Sequence, residues 1–159
     1  MQKILVTGAS GFLGKNLISK ILKNKNFVIY ALTHSKNYEF KDKKNLLLID
    51  CDITNSKKLK KKLNLNFDYV VNFAGNINHK NKKETYDAHF KGLKNIINSI
   101  NLDKLKLFIQ IGSSLEYGNA KSPHFESQAC NPMSHYGKSK FLATKLIKRK
   151  IKNYIIIRL

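Results

Sequence analysis

The sequence predicts an α/β protein built on a doubly wound parallel sheet. Two observations predict it. Short runs rich in β-branched and aromatic residues alternate with longer runs of helical apolar spacing along the whole chain. The first such run also ends, within eight residues, in a glycine-rich turn that opens a helix. Strands alternating with helices pair in parallel through right-handed crossovers, which is the doubly wound arrangement.

The elements follow in order. Lys3 to Thr7 reads as the first strand and stops at glycines. From Phe12 to Lys23 the apolar residues fall at 13, 17, 18, 21 and 22, a helical period. Phe27 to Thr33 is the second strand and Leu46 to Ile49 the third. Asn55 is placed to cap a basic helix running to about Leu63. Tyr69 to Phe73 is the fourth strand, and residues 83–100 form a long helix with apolar positions 86, 90, 93, 96, 97 and 100. Leu105 to Ile111 is the fifth strand, followed by a loop over 113–133 that contains Pro123 and Pro132. Residues 134–150 are helical, and Tyr154 to Arg158 is the sixth strand. No repeat or low-complexity linker divides the chain, so residues 1–159 are expected to form one domain. The chain stops while the sixth strand is still running, and the sheet therefore reads as truncated after that strand. Its unpaired edge is expected to promote aggregation.

Composition narrows the function classes. The chain has 159 residues with 42% apolar content, enough for a core, and its apolar runs are far too short to span a bilayer. The N-terminus carries no secretory cleavage pattern, and Cys51 and Cys130 form neither a disulfide framework nor a metal site. A cytoplasmic setting and no membrane partner are expected. The net charge of +20 invites a nucleic-acid reading. All but two of the 30 basic residues are Lys, however, and they are scattered. Arginine, the bidentate reader of phosphate and guanine, occurs only as Arg149 and Arg158. No specific nucleic-acid partner is expected.

Thr7-Gly8-Ala9-Ser10-Gly11-Phe12-Leu13-Gly14 joins the first strand to the first helix. Gly8 can take the positive φ of a tight turn. Gly11 lacks a Cβ where backbone would approach a pyrophosphate, and Gly14 lets helix and strand pack closely. The helix N-terminus then offers free N–H donors and about half a positive charge to the anion. The turn is the signature of a dinucleotide-binding Rossmann fold, spaced G-x-x-G-x-x-G. Its usual acidic partner for the ribose 2′-hydroxyl is missing: the second strand ends Thr33-His34-Ser35-Lys36, and the next carboxylate is Glu39. His34, Ser35 and Lys36 would accept a 2′-phosphate that a carboxylate would repel. NAD(P) is expected as cofactor, with NADP(H) favoured.

Tyr136-Gly137-Lys138-Ser139-Lys140 sets a phenol and an ammonium on one helix face, four residues apart. Bringing a tyrosine from pKa about 10 to neutrality requires about 4 kcal/mol. One cation supplies about 1–3 pH units, so Lys140 together with an oxidised nicotinamide would suffice. Tyr136 would then exchange a proton with a substrate oxygen. Ser113, after the fifth strand, would hydrogen-bond that oxygen from the carboxyl end of the sheet.

With these residues together, the sequence resembles an extended short-chain dehydrogenase/reductase of the NAD-dependent epimerase/dehydratase family. The resemblance implies cofactor contacts from Gly8, Ser10, Gly11, Phe12, Leu13 and Gly14, and from His34 and Ser35. Cys51-Asp52-Ile53-Thr54 is similar to the family's adenine segment, implying contacts from Asp52 and Ile53. Asn72-Phe73-Ala74-Gly75 resembles the fourth-strand segment, implying Phe73, Ala74 and Gly75. Ile111-Gly112-Ser113-Ser114-Leu115-Glu116-Tyr117-Gly118 looks like the serine loop, and counting back four from Tyr117 selects Ser113. Tyr136 and Lys140 match the catalytic pair, Lys140 also holding the ribose.

Three departures matter. His89 stands where the family usually has Asn, three residues before Gly92. Ser114-Leu115 replaces the Asp-Glu pair of the sugar 4,6-dehydratases, which favours epimerisation or ketone reduction over dehydration. The family's later substrate domain is absent, so the 159 residues alone are expected to bind cofactor weakly and to turn over little. The resemblance implies a nucleotide-sugar substrate, hydride transfer at a sugar carbon, and dimerisation through the helices at 83–100 and 134–150. The rival reading is a dinucleotide-binding module that performs no chemistry.

Overall fold

In the computed structural model, which describes residues 1–34, 44–78 and 80–159, six strands run parallel. They are Gln2–Thr7 (β1), Phe27–Thr33 (β2), Leu46–Asp50 (β3), Tyr69–Asn72 (β4), Leu107–Gly112 (β5) and Tyr154–Arg158 (β6). Their order across the sheet is β3-β2-β1-β4-β5-β6. The order reverses direction at β1 and β4, which is where such sheets open a crevice at the carboxyl ends of their strands.

The helices are Phe12–Ile21 (α1), Ser56–Lys62 (α2), Lys82–Tyr86 (α3), Gly92–Ile97 (α4) and His135–Lys150 (α5). Asn55 caps α2 by accepting the Lys58 N–H, and Ser134 caps α5 by accepting that of Gly137. Helix α1 stops at Ile21, two residues short of the sequence expectation, and Asn24 to Phe27 turns the chain into β2.

The long helix expected over 83–100 is broken. Between α3 and α4 lies a π-helical turn, Asp87–Lys91, closed by a Gly92 N–H bond to the Asp87 carbonyl. Gly92 is the reason the helix can come so close to the segment between β3 and α2: a Cβ would lie 2.3 Å from the Ile53 side chain. The extra residue of the π turn rotates His89 inward to 3% exposure. Apolar periodicity cannot reveal such an insertion, because the flanking positions stay in phase with the core.

Alternate residues of each strand serve the two faces. Leu5, Leu32, Val70 and Phe108 pack with Leu59, Leu93, Ile96 and Ile147 from α2, α4 and α5. Ile4, Val6, Ile29, Ala31 and Val71 pack with Ile18 and its neighbours on α1. Among the described residues, α1 is the only helix on that second face. Beyond it lies an apolar groove of about 300 Å³, bordered by Leu17, Ile21, Val71, Ile109, Ile111 and Ile157. Ile155 and Ile157 on β6 are 47% and 42% exposed. Among the described residues, no helix is long and apolar enough to cross a membrane.

Candidate active site

The crevice starts at the glycine turn. Gly8 has φ +64°, and a Cβ there would lie 2.7 Å from the Phe73 carbonyl carbon, so β1 and β4 end in backbone contact. At Gly14 a Cβ would come within 2.4 Å of the Gly8 carbonyl oxygen. Gly11 is the N-cap of α1, with no side chain capping it, and no acidic residue sits in the first turn. A Cβ on Gly11 would meet only the Gly8 oxygen, at 3.3 Å; the remaining space is open. An uncapped, positively polarised helix end thus faces a void with room for an anion. Phe12 and Leu13 stand beside it, 81% and 40% exposed.

The void is a cleft of about 850 Å³, with a smaller recess of about 220 Å³ adjoining it. Gly8, Gly11, Phe12, Leu13 and Gly14 border the cleft, as do His34, Asp52, Phe73 and Gly75. Ser10, Ile53 and Ala74 border the recess. Ser10 accepts a hydrogen bond from the Thr33 hydroxyl at 2.8 Å, which ties the turn to the end of β2. Asp52 is held by the Thr54 N–H and hydroxyl, at 2.8 and 2.9 Å. The Ile53 side chain is 8% exposed and packs beneath Gly92. Its carbonyl accepts from Asn95 at 2.9 Å, an anchor on α4 that the sequence did not flag. Ser35, proposed from the sequence as a cofactor contact, lies outside the described residues, as do Lys36 and Glu39.

A row of buried polar groups runs beneath the crevice. Thr7, Asn72 and Gln110 occupy aligned positions on β1, β4 and β5. The Thr7 hydroxyl donates to the Asn72 amide oxygen, and the Asn72 amide nitrogen donates to Gln110 at 2.8 Å. All three are nearly inaccessible, so a satisfied network is the condition for their burial.

Behind Gly75, at the rim of the cleft, stands a group of polar side chains. Ser113 caps a short 3₁₀ turn, Ser114–Glu116, by accepting the Leu115 N–H at 3.2 Å. Its own hydroxyl proton is what it has left to donate. Tyr136 and Lys140 project from the first turns of α5, the Lys140 ammonium 5.7 Å from the Tyr136 ring centre. That ammonium donates to the Ile111 carbonyl at 3.1 Å and lies 3.8 Å from where a Cβ of Gly75 would be. Lys140 does not border the cleft itself.

Burial lowers Lys140 to about 8, with the Glu116 carboxylate opposing the shift. Tyr136 is raised from its ordinary value, first by burial and then by Glu116. A raised phenol keeps its proton at neutral pH. A further positive charge in the cleft is needed to loosen it.

His89 links three segments. It accepts the Asn76 N–H at Nε2, 3.0 Å away, so Nδ1 carries the proton and donates to the Ser139 hydroxyl at 2.8 Å. Ser139 donates in turn to the Tyr136 carbonyl at 2.8 Å, and the imidazole meets the Tyr136 ring edge-on at 5.0 Å. Sequence reading marked His89 only as a departure, and missed Ser139, Gln110 and Glu116.

A family model, described as the NAD dependent epimerase/dehydratase family, matches residues 4–159. The chain belongs to that family. Among curated relatives, it is 30% identical over 158 residues to a putative UDP-glucose 4-epimerase of Methanocaldococcus jannaschii, covering 91% of this chain and 50% of that one. It is 26% identical over 151 residues to the N-acetyl-alpha-D-glucosaminyl-diphospho-ditrans,octacis-undecaprenol 4-epimerase of Escherichia coli O157:H7, covering 92% and 43%. Two solved structures share the fold. WbmG of Bordetella bronchiseptica, in complex with NAD and UDP, superposes with TM-score 0.84 at 21% identity, over 98% of this chain and 52% of that one. The UDP-Glc/GlcNAc 4-epimerase of Campylobacter jejuni does so with TM-score 0.85 at 21% identity, over 99% and 53%. The chain spans about half the length of the relatives it matches.

Proposed function

We propose that residues 1–159 form the dinucleotide-binding part of an NAD(P)-dependent nucleotide-sugar 4-epimerase or 4-ketoreductase. The observation that supports this reading is an uncapped, glycine-cradled helix end on a cleft whose Gly75 rim lies against the Lys140 ammonium, next to Tyr136 on the same helix. Two of the similar proteins are named as sugar 4-epimerases, and WbmG is described with NAD and UDP bound.

The residues present fit a dinucleotide. Gly11 and the first-turn amides of α1 would hold its pyrophosphate, Asp52 and Ile53 its adenine side, and Phe73 to Gly75 the strip leading to Lys140. The nicotinamide would supply the hydride acceptor or donor. Ser113 donates its hydroxyl proton to the sugar oxygen and orients it. Tyr136 takes or returns the proton of that oxygen at its phenolic O, and Lys140 holds the ribose. Because burial and Glu116 keep the phenol protonated, Tyr136 acts as a base only when a cationic ring is docked.

Between the two cofactors we infer a preference for NADP(H), since the sequence after Thr33 runs His34-Ser35-Lys36 with no carboxylate before Glu39. Competition between NAD and NADP for the same site tests it. Self-association through α3, α4 and α5 is likewise part of this reading, and sedimentation tests it.

Tyr136→Phe in the full-length protein, assayed with UDP-hexoses, is expected to lower turnover by about 10²–10⁴-fold with cofactor affinity unchanged. Epimerase action interconverts the 4-epimers with no net cofactor consumption, whereas a ketoreductase consumes cofactor in step with product. Unaltered turnover in the Phe variant would overturn the reading, and cofactor binding with no turnover in the wild type would favour the binding module.

A further inference from the structure

Glu116 is the sole acidic side chain that is buried among the described residues. Its slot is made by Gly112, where a Cβ would lie 2.6 Å from Oε1. Oε1 accepts the Ser113 N–H at 2.9 Å, and Oε2 accepts from Arg158 Nε at 3.2 Å. Arg158, from β6, also donates to the Tyr117 hydroxyl at 2.9 Å, and the Tyr117 ring stacks on His124 at 4.5 Å. On the opposite side the first turn of α5 presses onto the turn carrying Glu116: a Cβ on Gly137 would come within 2.5 Å of the Leu115 carbonyl. The titratable groups around Glu116 are thus Arg158 from β6, Tyr136 and Lys140 from α5, and Tyr117 and His124 from its own loop.

A carboxylate taken wholly out of water is costly unless it is paired and hydrogen-bonded, and a well-packed apolar residue would serve stability as well. We propose that Glu116 is a positioning residue for the reaction: clamped by Arg158, it fixes the Ser113 backbone and sets its carboxylate on the turn against which the first turn of α5, carrying Tyr136, is packed. The proposal rests on the functional reading above. Its charge adds to burial in raising Tyr136 and offsets part of the burial that lowers Lys140. Both effects hold protons on the pair until a cation enters the cleft.

The test separates this role from the reading it rests on. Tyrosinate absorbance is titrated in the full-length protein, and the titration of Tyr136→Phe is subtracted so that the phenol at 136 is read alone. Glu116→Gln keeps an acceptor for the Ser113 N–H while removing the charge; the midpoint is expected to fall by about 1 pH unit. Arg158→Met removes the counter-charge and leaves the carboxylate, so the midpoint is expected to rise. Opposite shifts support the proposal; no movement, or movement in the same direction, overturns it. Circular dichroism checks the fold of each variant, and either one that folds gives a signed result. In turnover assays, Glu116→Ala is expected to lower kcat without changing cofactor affinity, and Gln to restore part of it. Equal losses in Ala and Gln with an unmoved pH profile would also overturn it. A wild type without sugar turnover would sink the functional reading alone, since the titration still decides the charge.

Discussion

The two ends of the crevice are made of different material. The glycine end is backbone: three glycines, an open helix terminus, and contacts at Gly8 and Gly14 so close that a Cβ would not fit. The serine-tyrosine-lysine end is a mesh of side chains drawn from β5, β6, α5 and the π turn, with partners 42 residues apart at Glu116–Arg158 and 50 apart at His89–Ser139. A backbone site is most sensitive to added volume, at Gly8 and Gly14 above all. A side-chain site responds to charge and hydrogen bonding, and its failure should be chemical before it is structural.

The largest effect expected from this contrast is at Gly14. Gly14→Ala drives a Cβ into the Gly8 carbonyl and should cost about 3 kcal/mol, the upper end of overpacking, read as a lower urea midpoint. Dinucleotide affinity should be lost with it, and a variant that binds normally would break the comparison. His89→Leu comes next. It keeps bulk but strands the Asn76 N–H and takes away the donor to the Ser139 hydroxyl, for about 1–3 kcal/mol. In turnover assays it should depress kcat more than KM, because the Tyr136 turn loses its support.

The smallest effect is a matter of pH. The Lys140 value of about 8 in the folded chain lies below the unfolded value near 10.5. Unfolding therefore takes up a proton between those values, and stability from this group rises as pH climbs through that window. Lys140→Met should close the gap: denaturation at pH 7 and at pH 9.5 is expected to show the wild type gaining about 1 kcal/mol or more relative to the variant. Equal differences at the two pH values would show that the ammonium is not held in a low-dielectric site.

The same contrast explains what the sequence revealed. The glycine turn was legible because its parts are neighbours in the chain and each has a local reason to be glycine. Strand and helix types were legible from periodicity, down to the Asn55 cap. The serine and the tyrosine-lysine pair were found as short local patterns. What bound them together was not, since nothing in Leu115-Glu116-Tyr117 announces a partner at Arg158. The π turn escaped for a related reason: one inserted residue alters which side chain turns inward without disturbing the apolar rhythm on either side of it.

The uncovered row of Ile109, Ile111, Ile155 and Ile157 has its own consequence for handling this polypeptide. A greasy strip on a surface carrying +20 is kept apart from its like by mutual repulsion. Salt shortens that repulsion to about 10 Å at 0.1 M and about 3 Å at 1 M, while leaving the attraction between isoleucines intact. Light scattering on this segment should therefore grow with added sodium chloride, opposite to the behaviour of proteins held together by ion pairs.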